Sequence, residues 1–441
     1  MNIKQFEDKP LSHYSYALLN EALAEIILID PSRNIQPYLT YAGAHNAKII
    51  AVIETHPHAD FVSGHQELQQ QTGAAIYCSA KTGASYQHIP FDEGAIIQNG
   101  DISLRALNTP GHSPDSISIV ASYQGKDKAV FTGDTLFIGD CGRPDLRENA
   151  GNHKAEKLEL AGMMYHSLRN KLMLLNDDVI IYPAHGAGTL CGKALSEAGH
   201  ATMGEEKKTN WSLQPMDVNA FTEILLTDQP FIPQYFPYDV EVNRRGAPSI
   251  VESLRLVQVI PGGLTSPDHI VVDTRPAADF KAGHLPRSFN IMLEGKFETW
   301  LGSLLEPDEP FYLLAENKEK LLEAMERTCK IGYEPFIKGG IIHAEGNRTQ
   351  PLFDEAYFRK HQEEYTIVDV RNSEEVRNKP IFSNAVNIPL PELRKRIAEI
   401  PADKPLAVHC AGGYRSAAAS SILEDALQAK VFDIGEKIKN F

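Results

Sequence analysis

Two clusters in this 441-residue chain could do chemistry, and they differ in kind. The first is Thr55-His56-Pro57-His58-Ala59-Asp60-Phe61, a metal-binding cassette of the H-x-H-x-D-H type with Phe61 in place of the last histidine. Imidazoles and a carboxylate at this spacing suit zinc, iron or manganese; calcium would take oxygens only. Phenylalanine has no lone pair to give, so a tightly held second metal is disfavoured. Three further polar clusters follow: Thr109-Pro110-Gly111-His112-Ser113, Thr132-Gly133-Asp134-Thr135 and Tyr182-Pro183-Ala184-His185-Gly186. A lone histidine is usually a loop or core residue with a satisfied hydrogen bond. Four clusters in this order, each after a β-type run, point to a metal instead. The second site is Cys410-Ala411-Gly412-Gly413-Tyr414-Arg415. A buried-strand pattern over 405–409 ends on the cysteine, and a helix-forming stretch starts after the glycines. Backbone N–H groups and a helix N-terminus around one sulfur favour its thiolate. The glycines let the loop curl with its amides inward, and Arg415 adds positive charge.

The elements that must carry these groups are legible in outline. β-rich runs at 25–30, 49–53, 128–131 and 178–182 each end where a His, Asp or Gly cluster begins. Layered α/β proteins gather their active sites at such strand ends, where a rigid sheet holds the loops. A helix is expected near 217–226. The proline-rich passage 229–237 reads as an aromatic linker packed on a neighbour. Beyond it lies a weak internal repeat. Ile270-Val271-Val272-Asp273-Thr274-Arg275 is echoed by Thr366-Ile367-Val368-Asp369-Val370-Arg371, and Pro286–Ile291 by Asn384–Pro389. The spacing suits duplicated small α/β domains rather than solenoid repeats.

Length suits two or three domains, and 42% hydrophobic content is enough to build their cores. A net charge of −15, spread along the chain, argues against nucleic acid or an anionic membrane as partner. No apolar run approaches the roughly 20 residues needed to span a bilayer. The first eight residues carry acids and lack a basic, apolar leader. Five widely spaced cysteines argue against a disulfide framework, and a cytoplasmic setting is expected.

The four polar clusters make residues 1–245 resemble the metallo-β-lactamase fold, layered αββα. In dinuclear members the resemblance implies His56, His58 and His112 on one metal, and Asp60, position 61 and His185 on the other. Asp134 would bridge them. Within that fold the chain resembles the persulfide dioxygenases, because Gly139-Asp140-Cys141-Gly142-Arg143-Pro144-Asp145-Leu146 is similar to their G-R-x-D stretch. That implies one Fe(2+) per chain, with Zn(2+) as the alternative, held by His56, His112 and Asp134 with the opposite face open. His58, Asp60 and His185 would then stand behind the ligands or orient substrate. Arg143 would pair with a carboxylate or phosphate of a thiol carrier, or else with Asp145 in its own loop. The segment 185–193 departs from the P-A-H-x-Y ending of glutathione-using enzymes. The carrier is therefore open between glutathione, coenzyme A and another low-molecular-weight thiol. Cys141 and Cys191 are expected as small buried hydrophobes that could line the pocket.

Cys410-Ala411-Gly412-Gly413-Tyr414-Arg415-Ser416, Asp369-Val370-Arg371 and Asn387-Ile388-Pro389-Leu390 resemble the rhodanese active loop and two further rhodanese elements. The resemblance implies a domain at 355–441 in which Cys410 carries sulfane sulfur beside Arg415, with Gly412 and Gly413 in the substrate loop. It implies a second copy at 250–348 that lacks the cysteine, in which Cys329 is packing. The usual G-H-I-P-G-A run is replaced by 380–385, and the C-terminal G-G-x-x-x-W ending is only loosely echoed by Ile434-Gly435-Glu436.

Together these resemblances imply oxidation of a thiol persulfide by O₂ to sulfite and thiol, coupled to sulfur transfer that forms thiosulfate, in sulfide detoxification. The expected assembly is a homo-oligomer. The alternative is a zinc thioester hydrolase of the glyoxalase II type with an accessory sulfurtransferase domain, which Phe61 opposes. A sulfur-carrying scaffold with a vestigial metal site is opposed by the intact His56, His112 and Asp134.

Overall fold

Side-chain alternation sorts the first half into layers. In β2 (His13–Asn20) and β3 (Glu25–Ile29), Tyr16, Leu18, Ile27 and Ile29 face one core while Ala17, Leu19, Ile26 and Leu28 face another. The first core is shared with β8 (Ile102–Asn108), β9 (Ile117–Tyr123) and β10 (Lys126–Gly133) of a second sheet, through Leu104, Ala106, Ile119, Ala121 and Phe131. This is the period-two pattern of two sheets packed face to face. The outer face of the first sheet is covered by helices Gln36–Ala44 and His65–Thr72. The outer face of the second is covered by helices Lys157–Asn170 and Val218–Leu226. The result is αββα.

The structure is a computed structural model that describes residues 1–147, 156–193, 195–255, 257–260, 269–342, 346–427 and 429–441. The chain divides into two compact units, Met1–Ile250 with Cys329–Gly332, and Val251–Thr328 with Tyr333–Phe441. In the first unit, one six-stranded sheet runs β1 (Asn2–Asp8), β2, β3, β4 (Lys48–Ile53), β5 (Ala75–Cys78), β6 (Ile89–Pro90). The other runs β12 (Ala201–Thr202), β11 (Ile180–Pro183), β10, β9, β8, β7 (Ile96–Asn99). The four polar clusters follow β4, β8, β10 and β11, as strand-end loops.

The passage 229–237 is not a linker. Tyr235 and Phe236 are buried, and Phe236 opens the helix Phe236–Arg245, with Pro237 in its first turn, inside the first unit. Proline here fits a helix start, where its missing N–H has no helical partner to lose. Among the described residues no helix is long and apolar enough to cross a membrane.

The second unit holds two four-stranded parallel sheets of one topology. Their orders are β14 (Ser288–Asn290), β13 (Ile270–Asp273), β15 (Phe311–Ala315), β16 (Ile337–Ile342), and β18 (Val386–Asn387), β17 (Thr366–Asp369), β19 (Leu406–His409), β20 (Val431–Asp433). The repeated residues have the same job in both copies. Arg275 pairs with Asp273 at 2.6 Å, and Arg371 with Asp369 at 2.6 Å. Asn290 Nδ2 donates to the carbonyls of Asp273 and Arg275, as Asn387 Nδ2 does to those of Asp369 and Arg371. Each asparagine thus closes the loop that leaves the first strand. Removing such a donor strands two carbonyls, so Asn387→Ala is expected to destabilise by about 1–3 kcal/mol, while Asn387→Asp loses the donors but keeps the size. Both should lower the midpoint of chemical unfolding followed by circular dichroism; an unchanged midpoint would contradict this role.

Candidate metal centre and sulfur site

The cassette loop is built from behind. Asp30, at the end of β3, accepts from Thr55 N at 2.7 Å and from Thr55 Oγ1 at 2.8 Å. With its proton committed to Asp30, Thr55 Oγ1 lies 3.0 Å from His56 Nδ1 and can accept from it. His112 Nδ1 lies 2.9 Å from the Arg143 carbonyl, which can only accept, so Nδ1 carries the proton. Both rings therefore present Nε2 with a lone pair. These atoms stand 3.8 Å and 3.5 Å from Asp134 Oδ2, which is buried with no hydrogen-bond partner among the described residues. His56, His112 and Asp134 form one buried three-donor set of the size a metal ion takes. A bare carboxylate oxygen between two oriented imidazoles fits a divalent cation.

Asp134 Oδ1 is held by His185 Nδ1 at 2.7 Å, and His185 Nε2 lies 2.7 Å from Asp60 Oδ2. Burial alone would push His185 towards neutrality, but the charges and hydrogen bonds of Asp134 and Asp60 outweigh it and raise its pKa well above the ordinary value. Burial would likewise raise Asp134. The His185 charge and hydrogen bond, then His112 and His56, hold it well below the usual carboxylate range.

His58 falls outside the three-donor set. Its Nε2 lies 3.2 Å from Asp30 Oδ1 and 3.7 Å from Glu54 Oε2, in a second buried group. Burial, then Asp30, pushes the Glu54 carboxyl well up, and Ser63 Oγ donates to it at 2.7 Å. The Phe61 ring packs against His13 and His58, with centroids 3.9 and 4.3 Å apart. A third group joins Asp60 and His185 to Cys191, a residue expected as a small buried hydrophobe that could line the pocket. Burial, then Asp60 and Asp134, push the Cys191 thiol well up.

Of the two roles expected of Arg143, the structure shows the loop pairing. Its side chain is buried, and its fork is bidentate to Asp145, with Nε–Oδ1 and Nη2–Oδ2 both at 2.7 Å. Nη1 donates to Leu190 O at 3.2 Å. The guanidinium is held within its own loop and by the Leu190 carbonyl. The preceding Gly142 has no room for a side chain: a Cβ there would stand 1.9 Å from Asp134 O. Asn243, on the helix Phe236–Arg245, belongs to the site although no sequence motif marks it. Its Nδ2 donates to His58 O at 2.8 Å and Phe61 O at 2.7 Å, and its Oδ1 accepts from Ser63 N at 2.8 Å.

In the second unit, Cys410 follows β19 and is buried. Gly413 N–H donates to its Sγ at 3.1 Å from a backbone with φ +105°, and the helix Tyr414–Ala426 begins at the next residue. Gly412 is exposed on the same loop. Arg415 does not point free charge at the sulfur: Glu375 takes it bidentately at 2.5 and 2.8 Å. Burial would raise the Glu375 carboxyl, but Arg415 outweighs it and holds it below the usual range. In the other copy Asp273 pairs with Leu314 where Asp369 pairs with His409, so Ala315 occupies the position of Cys410.

Residues 14–185 match the metallo-beta-lactamase superfamily, and residues 261–341 and 353–440 match the rhodanese-like domain. The crystal structure of a metallo-beta-lactamase from Staphylococcus aureus subsp. aureus COL is 30% identical, covers 78% of this chain and 98% of its own, and superposes with a TM-score of 0.69. The chain belongs to the metallo-beta-lactamase superfamily. Two rhodanese-like domains follow its metallo-beta-lactamase domain. Its relatives include the mitochondrial persulfide dioxygenase ETHE1 of Bos taurus, 30% identical over 41% of this chain and 66% of that protein. They also include a probable hydroxyacylglutathione hydrolase of Schizosaccharomyces pombe, 28% identical over 49% of this chain and 88% of that protein. As a member of this superfamily the chain carries donor groups that could hold a metal at the strand ends of its first unit.

Asn243→Ala should free the cassette backbone and weaken metal retention about 10–100-fold, the effect typical of lost outer partners; chelator competition on the full chain measures it. Because the folded Glu375 carboxyl is depressed, its stabilisation is complete above about pH 4.3, the unfolded value, and is lost as pH falls through the lower folded one. Glu375→Gln is therefore expected to unfold more easily than the unchanged chain at pH 7, with the gap closing below about pH 4.

Proposed function

We propose that the first unit is a persulfide dioxygenase with one ferrous ion per chain, and that Cys410 of the second unit is a sulfurtransferase nucleophile. The observation that carries this reading is the pairing, in one chain, of a two-histidine, one-carboxylate set with a cysteine in a thiolate-favouring loop. When bound, iron would supply redox chemistry with O₂ that zinc lacks. His56 and His112 would hold it through Nε2, and Asp134 through Oδ2. His185 keeps Asp134 ionised and oriented, and Thr55 and the Arg143 carbonyl keep the imidazole tautomers fixed. The overall reaction converts thiol persulfide, O₂ and water to thiol and sulfite.

The Cys410 thiolate takes the outer sulfur of a thiol persulfide and releases the carrier thiol, and sulfite then attacks the outer sulfur of the Cys410 persulfide. The S–S bond breaks, thiosulfate forms, and Cys410 leaves as a thiolate steadied by Gly413 N–H and the helix N-terminus. Ala315 has no sulfur to offer, so the other copy takes no part as nucleophile. Five free, buried cysteines suit a reducing cytoplasm. The carrier is a low-molecular-weight thiol whose recognition does not run through the Arg143 fork.

One observation favours a second reading. Cys191 stands with Asp60 and His185, and so offers a third donor for a second metal in spite of Phe61. A zinc hydrolase acting on thioesters could use such a pair of sites. The test is metal content with O₂ uptake and sulfite release on a thiol persulfide after anaerobic iron loading. One iron per chain with O₂ consumption is expected, and two zinc ions with thioester hydrolysis would overturn the dioxygenase. Cys410→Ser should abolish thiosulfate formation while O₂ uptake survives.

A further inference from the structure

Tyr414, which follows the sulfur loop, reaches the cysteine-less copy. The helix Tyr414–Ala426 is buried from Ser416 through Leu423, an unbroken run of mostly Ser and Ala. Small residues let another backbone come close, and Asn290 N–H of β14 donates to Ser421 Oγ at 2.9 Å. At the start of the same helix, Tyr414 donates its hydroxyl to Met292 O at 2.6 Å. Its ring lies over Gly295, where the φ of +79° favours glycine and an added Cβ would meet the ring at 3.5 Å.

The 292–295 loop is itself fastened. Buried Arg327 pairs with buried Glu298, Nε–Oε1 at 2.8 Å and Nη2–Oε2 at 2.5 Å. The same guanidinium donates to Leu293 O and, at 2.9 Å, to Gly295 O. Arginine can hold a carboxylate and two carbonyls at once because its fork is planar and rigid. Lysine could not.

On the sulfur side, Cys410 depends on Gly413 N–H. Gly413 is conformationally permissive and has no side chain to anchor it, so its amide direction must be set by its neighbours. Ser416 Oγ and Ala417 N hold its carbonyl, and the residue that joins it to the helix is Tyr414. The line of contacts therefore runs from Glu298 through Arg327 and the 292–295 loop to Tyr414, Gly413 and the Cys410 sulfur.

We infer that Tyr414 is a positioning residue through which the cysteine-less copy fixes the amide cradle of Cys410, so that the sulfur site is incomplete without that copy. This rests on the reading of Cys410 as the sulfur carrier. The copy that lost its nucleophile still serves the reaction, because it supplies the fixed point against which the active loop is held.

The experiment uses the full chain and two variants, one in each copy. Tyr414→Phe removes a single hydroxyl, and Arg327→Lys removes the fork that fastens the 292–295 loop. The readouts are the pH profile of Cys410 alkylation by iodoacetamide, followed on the Cys410 peptide by mass spectrometry, and kcat and KM for sulfur transfer from thiosulfate to cyanide. Tyr414→Phe should slow alkylation at pH 7 and lower kcat about three- to tenfold, the worth of one hydrogen bond. The alkylation profile should move to higher pH, with KM and O₂ uptake unchanged. Arg327→Lys should move the same quantities in the same direction. Profiles and kcat values that superimpose on those of the unchanged chain, in variants whose circular dichroism is intact, would overturn the inference. Alkylation needs no turnover. If the unchanged chain transfers no sulfur yet Tyr414→Phe still shifts the profile, the positioning role stands and the sulfurtransferase reading falls.

Discussion

Asp134 is a carboxylate taken out of water, and the metal centre depends on how its charge is met. An isolated buried charge costs more than a fold can tolerate unless it is paired and hydrogen-bonded. His185 answers one oxygen, and is itself steadied by Asp60 on its far side. The other oxygen is left towards His56 and His112. The two imidazoles are aimed by groups that bind no metal: Thr55, fixed by Asp30, and the backbone of Arg143. Four strand ends thus converge on one carboxylate. The sandwich core between the sheets makes that convergence rigid, because every strand involved is packed on its inner face.

The second unit applies one scaffold twice. Asp273, Arg275 and Asn290 repeat the bonds of Asp369, Arg371 and Asn387, and the parallel registers agree. These residues stabilise the loop after the first strand whether or not chemistry follows. What separates the copies is the loop after the third strand, where Cys410 and its glycines stand in one and Ala315, Glu316 and Asn317 in the other. The repeat seen in the sequence therefore reports architecture, and the two copies differ in a few residues outside it.

Much of the site was legible because its groups occur in short strings. The cassette, the T-P-G-H turn, the G-D pair and the C-A-G-G-Y-R loop each place donors at a strand end, and strand ends announce themselves by a β-branched run. Asp30 and Asn243 were not legible, since they meet the cassette across long sequence separations and nothing in their own surroundings marks them. Cys191 looked like packing because a buried thiol does pack; only its place beside Asp60 and His185 makes it a donor. The 229–237 passage carried the composition of a linker, yet its aromatics are buried and its prolines lead into a helix. Arg415 is taken up by Glu375 of the helix Ser373–Asn378, a pairing that no motif in the sequence announces.

Arg143 leaves a lesson about transfer between relatives. Its fork is closed on Asp145 and its carbonyl on His112, so the G-R-x-D stretch acts as a strut inside the protein. A strut is indifferent to what diffuses past it. A resemblance carried by this stretch therefore speaks to the bracing of one imidazole, and not to the small molecule that the chain accepts.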